Sequence, residues 1–480
     1  MKLNESLSMS MRVKETLRAD LSHTFAEDIP VSLIENKFLE LKGESKKGSR
    51  ERVFTPVNVM LIMLLSAIEE DKSMQQGLNI FKAVFDRRCM EAQQAEAEML
   101  NEERVNDEQS PKKAGRPKQY KSRLPKSYQQ PLSDNTAAYA VARKKLDTEI
   151  VRTVYEHCAD FGELEKESWY GMETVITDGT YLQLQDTEDI RSEYTVKGQE
   201  NSYPQALLQV MIRQGTGQVS QCAVTSRHES ELQIVIPMIK KLEKNKLLLA
   251  DDLYNAYYHF CLVLNQGCHM IVPGKRDRNY TVIRSISEND QIVKISKTDR
   301  PDYVSKEEWK NLPRTLLLRR ITYTYPTKNG MEDAVLYTTV LNENIPSADI
   351  VAKYTMRWDI EISIREVKTI MDINVLRSKS TDMLYKELLI SLTAYNLVRK
   401  IIAKSADPGG FSPQKDLFHE CASFDRHVFL DKRGRVFFKR SPGRYGYTTN
   451  ETNQTPSYSA SKRKEKALYS RYKTWQVQKI

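Results

Sequence analysis

The run Leu247-Leu-Leu-Ala250 constrains this chain more than any other stretch. It is apolar at every position, too short for a buried helix, and it stops abruptly at Asp251-Asp252. A short continuous apolar run marks a strand buried on both faces, and such a strand needs helices packed above and below it. The flanks supply them: Glu229 to Lys244 and Asn255 to Gln266 both read as helices, the second closed by Gly267. His269-Met-Ile-Val272 then reads as a further strand. Upstream, Thr174 to Leu184 alternates apolar and polar residues, and Pro204 to Ile212 with Gln218 to Val224 give two more strands around the Gly215-Thr-Gly217 turn. Three meander strands followed by helix, strand, helix, strand imply an α/β sheet whose first three strands are antiparallel and whose later ones are parallel.

That order is the order of a ribonuclease H-like core, expected here as a mixed five-stranded sheet with flanking helices. Residues 275–345 interrupt it with β segments, Tyr280 to Ile286, Leu316 to Tyr325 and Ala334 to Leu341, and read as a β-rich insertion. Ahead of the sheet, apolar residues recur at helical spacing from Leu21 to Arg88, so this part reads as all-helical. Ser133-Asp-Asn135 can cap a helix from Thr136 to Lys145, and another runs to about Phe161. Between these, residues 91–130 lose apolar periodicity and become first acidic, then Lys/Arg/Pro-rich, the composition of a mobile linker or long loop. The chain divides into a helical region over 1–165 with a basic linker at 105–130, an α/β domain over 166–404, and a basic C-terminal region over 405–480.

Tyr354, Arg357, Glu361, Arg365 and Lys368 fall within an arc of about 80° on any helix drawn through them. Ile360, Ile364, Val367 and Met371 form an apolar stripe beside that arc, so the polar stripe skirts the core. One carboxylate among two arginines, a lysine and a tyrosine suits a site that holds a divalent metal next to phosphates. A solvated face with i,i+4 ion pairs, Arg357 to Glu361 to Arg365, is the plainer reading of the same residues. Two aspartates upstream favour the first. Asp178 lies within the first strand and Asp251 at the end of the fourth, and these two strands are neighbours in a ribonuclease H-like sheet. Three converging carboxylates are costly to ionise without a cation, and Mg²⁺ or Mn²⁺, two ions together, would relieve the repulsion. Asp252 competes with Asp251, but the apolar run leads straight into Asp251, and adjacent strand residues face opposite ways.

Asp178-Gly-Thr180, Leu247-Leu-Leu-Ala-Asp-Asp-Leu-Tyr254 and Tyr354-x2-Arg357-x3-Glu361-x6-Lys368 together resemble the DDE transposases of the insertion-sequence-four family, over roughly residues 133–400. The last spacing is that family's signature and is matched throughout. The resemblance implies a cut-and-paste transposase that acts on terminal inverted repeats and then on target DNA, as a homodimer assembled on DNA. It makes Asp178, Asp251 and Glu361 the metal ligands and places Tyr354, Arg357 and Lys368 against DNA phosphates; Arg365, on the same stripe, is a further candidate for DNA contact. In such enzymes the element's end passes through a hairpin with a flipped base, which the β insertion helps to hold; Trp309 is the candidate for stacking on it, with packing the alternative. A nuclease of the same fold, or a DNA-binding protein derived from a transposase and unable to cleave, are the competing functions.

Charge agrees with a nucleic-acid partner. The chain carries 73 Lys/Arg against 64 Asp/Glu, a net charge of +9, concentrated in two places. Residues 431–480 hold thirteen Lys/Arg and three acids, interleaved with aromatics, and residues 111–128 hold seven Lys/Arg and no acid. Within the latter, Lys112-Lys-Ala-Gly-Arg-Pro-Lys118 resembles an AT-hook that would lay Arg116 in a narrow minor groove; a basic linker is the alternative. The six cysteines form no C-x-x-C pair and read as reduced packing residues. No apolar run is long enough to span a bilayer, so the expectation is a cytoplasmic protein, nucleoid-associated in a bacterial host. The leucines of Met383 to Ala403 fit either an interface or core, with core the better reading.

Overall fold

In a computed structural model, residues 28–440 are described except for 44–52, 70–71, 109–121, 125, 161, 163–167, 195–201, 275–277, 328–329, 372, 375, 407–425 and 431–435. Arg116 and most of the basic C-terminal region lie outside the described residues. The chain opens with helices α1 (Val31–Lys42), α2 (Pro56–Ile68), α3 (Met74–Glu108), α4 (Ala137–Lys145) and α5 (Thr148–Cys158). Thr55 caps α2 through its side chain with Pro56 at the first helical position, and Asp147 caps α5. At α4 the Asn135 side chain accepts from the Ala137 N–H at 2.8 Å.

The α3 helix corrects the linker expectation, because residues 91–108 continue it instead of forming a loop. Their Glu, Ala and Gln residues have high helix propensity, which sustains an exposed helix without an apolar period. Glu96 and Glu103 on its exposed side hold the returning chain: Ser122 Oγ donates to Glu96 at 2.7 Å, and Arg123 pairs with Glu103 at 2.9 Å.

The sheet begins with β1 (Ser168–Trp169) and β2 (Met172–Gln183), followed by the short helix α6 (Glu188–Tyr194). Next come β3 (Gln205–Arg213), β4 (Val219–Ser226), α7 (Glu231–Lys240), β5 (Lys246–Leu249), α8 (Tyr257–Asn265) and β6 (His269–Pro273). β2 pairs antiparallel with β3 and parallel with β5, while β5 pairs parallel with β6. The expected first-to-fourth neighbours are thus adjacent, with Ile176 opposite Leu249. Leu247, Leu248 and Leu249 have no exposed surface, as an apolar run walled by helices requires.

The insertion comprises β7 (Tyr280–Ser287), β8 (Asp290–Ser296), α9 (Lys306–Asn311), β9 (Thr315–Thr327) and β10 (Gly330–Thr338). It does not interrupt the sheet as a separate element. β10 pairs antiparallel with β6, and ten of the described strands form one sheet in the order β4-β3-β2-β5-β6-β10-β9-β8-β7, with β1 against β2; Arg426–Leu430 and Val436–Arg440 pair as a separate two-stranded sheet. The expected five strands are therefore one half of it. A buried parallel strand such as β6 leaves a row of unpaired amides at its edge, and β10 satisfies them.

Two apolar clusters cover the two faces. Ile176, Leu247 and Leu249 share one with α2, α5 and the helices that follow the insertion; Val175, Leu248 and Ala250 share the other with α7 and α8. After β10 come α10 (Ser347–Thr355), a 3₁₀ turn at Met356–Trp358, α11 (Asp359–Ile370) and α12 (Thr381–Ala406). Leu384, Leu388, Leu392 and Leu397 of α12 are buried in the first cluster, so this helix is core. Cys89, Cys158, Cys261 and Cys268 are buried and unbridged. Among the described residues no helix is long and apolar enough to cross a membrane.

Candidate active site

Strand parity decides where the acids go. Asp178 is in step with Ile176 on β2, and Asp251, still extended at φ −80° and ψ −175°, is in step with Leu249. Both therefore face the side of the sheet that α11 covers. Asp252, by contrast, begins the 3₁₀ turn Asp252–Tyr254, whose Leu253 N–H the Asp251 carboxylate caps at 2.9 Å.

Glu361 sits in the first turn of α11, half-buried, with Ile360, Val367 and Met371 anchoring the adjoining side in the core. The helix through Tyr354 and Lys368 is not continuous as expected, because the 3₁₀ turn separates α10 from α11. Tighter winding there shifts Tyr354 relative to Glu361 by about 60° from its place on one α-helix. Arg357 lies inside the turn and still reaches Glu361, at 3.4 Å. Its buried Nε has no hydrogen-bond partner among the described residues. Tyr354 is half-buried against the core, and burial pushes its hydroxyl far up, with Arg357 beside it opposing. Lys368 is half-buried and its ammonium is held below its usual range by that burial; Arg365 is exposed.

The acids act on one another. Burial raises the Asp178 carboxyl above the ordinary aspartate range, and the charges of Asp251 and Glu361 raise it further. The Gly179 N–H, donating at 2.8 Å, and Arg357 pull the other way. Carboxylate oxygens are the donors that Mg²⁺ or Mn²⁺ takes, and a cation would cancel this repulsion, so the residue types fit such an ion. Among the described residues, no three Asp, Glu, His or Cys side chains are gathered closely enough to hold one as they stand.

Two residues at this site escaped the sequence reading. Glu231, first in α7, is a fourth acid: burial and the charges of Asp178 and Asp251 raise its carboxyl. Only the fold brings it near. Trp358 is 60% exposed at the 3₁₀ turn, with the Arg357 guanidinium 5.0 Å from its ring centroid. An exposed tryptophan inside a charged motif was a signal in the sequence that passed unused. Trp309 is placed elsewhere, in α9 instead of a β segment, where its ring packs against Tyr257 and Tyr258 and lies 5.0 Å from the Lys297 ammonium.

Residues 169–397 match the family described as the transposase DDE domain. Among curated proteins, the chain is similar to the transposase InsG for insertion sequence element IS4 of Escherichia coli (strain K12). The two are 25% identical over 326 residues, which cover 64% of this chain and 69% of the relative. Among solved structures, a cryo-EM piggyBac transposase synaptic complex with hairpin DNA aligns at a TM-score of 0.39 and 12% identity, over 83% of this chain and 79% of the other. The domain match contains every strand and helix that carries Asp178, Asp251 and Glu361, and together with the similarity to the IS4 relative it supports a DDE transposase of the IS4 family.

Proposed function

We propose that this transposase performs cut-and-paste transposition from a single site formed by Asp178, Asp251 and Glu361. The observation that carries this reading is the placing of three acids on one face of the sheet, where Asp251 and Glu361 raise the Asp178 carboxyl while Arg357, paired with Glu361, lowers it. The strand order β4-β3-β2-β5-β6 supports assigning this half of the sheet to the ribonuclease H-like fold. The three carboxylates would hold Mg²⁺ or Mn²⁺, in all two ions, which when bound neutralise the acids and polarise phosphate oxygens.

The remaining work falls to the protein's own groups. Arg357 offers an unpaired Nε–H, and with Arg365, Lys368 and the Tyr354 hydroxyl it binds phosphate oxygens and fixes the scissile bond in line with its attacker. Hydrolysis breaks a phosphodiester at the element's end and leaves a 3′-hydroxyl and a 5′-phosphate. The freed hydroxyl then attacks the opposite strand and closes a hairpin, which a second hydrolysis opens before the end joins target DNA. The exposed Trp358 is better placed than the packed Trp309 to stack on an unpaired base. The helices ahead of the sheet would read the terminal inverted repeat, with the Arg116 segment and the basic C-terminal region adding phosphate contacts, and two copies would assemble on the paired ends.

The test is cleavage of a labelled duplex carrying the element's own terminal repeat, with Mg²⁺ or Mn²⁺. Intact protein should nick at the repeat boundary, and Glu361→Gln should lower the rate by about 10³-fold or more while still binding the duplex. Binding without cleavage by the intact protein under either metal would establish the non-cleaving DNA-binding alternative instead.

A further inference from the structure

Gly179 is an ordinary strand residue with none of the left-handed backbone that calls for glycine. What calls for glycine is space. A Cβ at this position would lie 2.6 Å from Cδ of Glu231 and under 3.0 Å from both of its carboxylate oxygens. Asp178 and Gly179 are adjacent on β2 and face opposite sides of the sheet. Asp178 faces α11, whereas Gly179, in step with Val175, faces α7 and α8. The missing side chain leaves a space on that face of β2, and the Glu231 carboxylate fills it, on the opposite face of the strand from Asp178.

A buried polar chain holds it there. Gln209, fully buried and directly opposite Gly179 in the register, donates from Nε2 to Thr177 Oγ1 at 2.8 Å and to the Tyr254 hydroxyl at 2.7 Å. Tyr254, itself fully buried, donates to Glu231 Oε2 at 3.5 Å. Thr177 precedes Asp178 and Tyr254 follows Asp251 by three residues, so the chain joins the backbone segments of both aspartates to Glu231. Placing three polar side chains at the edge of an apolar cluster costs desolvation, and apolar residues of the same size would pack there without it. The arrangement repays that cost only if the orientation of the Glu231 carboxylate matters.

Resting on the three-acid reading above, we propose that Glu231 is a fourth carboxylate of the cleavage site, its charge seated against Gly179 and adding, across β2, to the field on a cation held by Asp178. Tyr254 and Gln209 are positioning residues for it. The experiment is Mn²⁺ binding to the full chain by calorimetry without DNA, with thermal denaturation of each variant alongside. Glu231→Gln should weaken Mn²⁺ binding about tenfold, and Tyr254→Phe by a smaller factor, each titrated at a temperature where its melting curve shows it folded. Gly179→Ala, which displaces the carboxylate without altering any charge, should reproduce the Glu231→Gln loss and covers the case in which that variant fails to fold. Wild-type affinity in both Glu231→Gln and Gly179→Ala, with Glu361→Gln abolishing binding, overturns this proposal and leaves the three-acid reading intact. Absence of any Mn²⁺ site in the wild-type chain overturns both.

Discussion

The strands that carry Asp178 and Asp251 and the helix that carries Glu361 are held in place by different means. β2 is bonded to β3 along its length and to β5 as far as Ile176, and β5 is bonded to β2 and β6, so the two aspartates stand just past a lattice of backbone hydrogen bonds between buried residues. Nothing comparable fixes Glu361. Its helix follows a 3₁₀ turn, buries one apolar stripe, and is otherwise tied down by polar side chains. Glu366 accepts from the Tyr395 hydroxyl at 3.2 Å and from Arg399 at 3.4 Å, and Arg399 in turn donates to the Thr216 carbonyl at 2.8 Å. Lys353 bonds Gln214 at the end of α10. Two acids are thus set by the sheet, and the third by a few long side chains reaching from α12 and the β3–β4 turn. A site built this way keeps two acids fixed while the third depends on a polar network that single substitutions can remove.

The largest effect that sharpens this contrast should come from Arg399→Met. It leaves Glu366, a buried acid whose carboxyl is already raised by burial, without its cation, and should cost about 3–5 kcal/mol of stability. If the polar network is what orients α11, cleavage at a temperature where the variant remains folded should fall along with the stability. Thermal denaturation and single-turnover cleavage would measure the two. Stability loss with wild-type cleavage would show that the apolar stripe alone positions Glu361, and the contrast would collapse.

A smaller effect separates the two regions by what they touch. Trp358, on the helix side, should lose about 1–3 kcal/mol of affinity for pre-cleaved end DNA on substitution by alanine, with Mn²⁺ affinity unaltered. Trp309→Ala, in the insertion, should instead lower thermal stability through lost contacts with Tyr257 and Tyr258 and leave DNA affinity unchanged. Equal effects of both on DNA affinity would restore Trp309 to the interface.

The sheet half was legible because its signals are local. The apolar run at Leu247, the alternation from Thr174 and the Gly267 stop are each determined by a few neighbouring residues, and strand parity then puts Asp251 on the face of Asp178 while Asp252 begins a turn. The rest depends on long-range pairing. Asp290–Ser296, which the sequence reading passed over, is a strand, and it gains much of its definition from Arg319, whose guanidinium pairs with Asp290 at 2.6 Å, fully buried. The short charged helix Glu188–Tyr194 offers too few apolar positions for a period to show. The 3₁₀ turn at Met356–Trp358 leaves no mark in a spacing that also fits one helix. Glu231 is close to Asp178 only through a glycine on another strand.

The smallest effect tests the sheet half from the opposite direction, through the stability cost of holding an acid there. Burial and the neighbouring acids raise the Asp178 carboxyl in the folded chain above its unfolded value. A raised acid contributes its full relative stability below the unfolded pKa and loses it as pH rises through the folded pKa. The metal-free protein should therefore be destabilised by Asp178 in neutral solution and not in acid below the usual aspartate range. Asp178→Asn, neutral throughout, should raise the Tm of the metal-free chain near neutrality, and the gain should shrink to nothing as the pH falls through the ordinary aspartate pKa. Saturating Mn²⁺ should reverse the order, because a bound cation stabilises the native wild-type chain and the asparagine holds it less well. A pH-independent difference between the two proteins would mean that Asp178 bears no such strain, and that β2 places it among charges no closer than those of an ordinary surface aspartate.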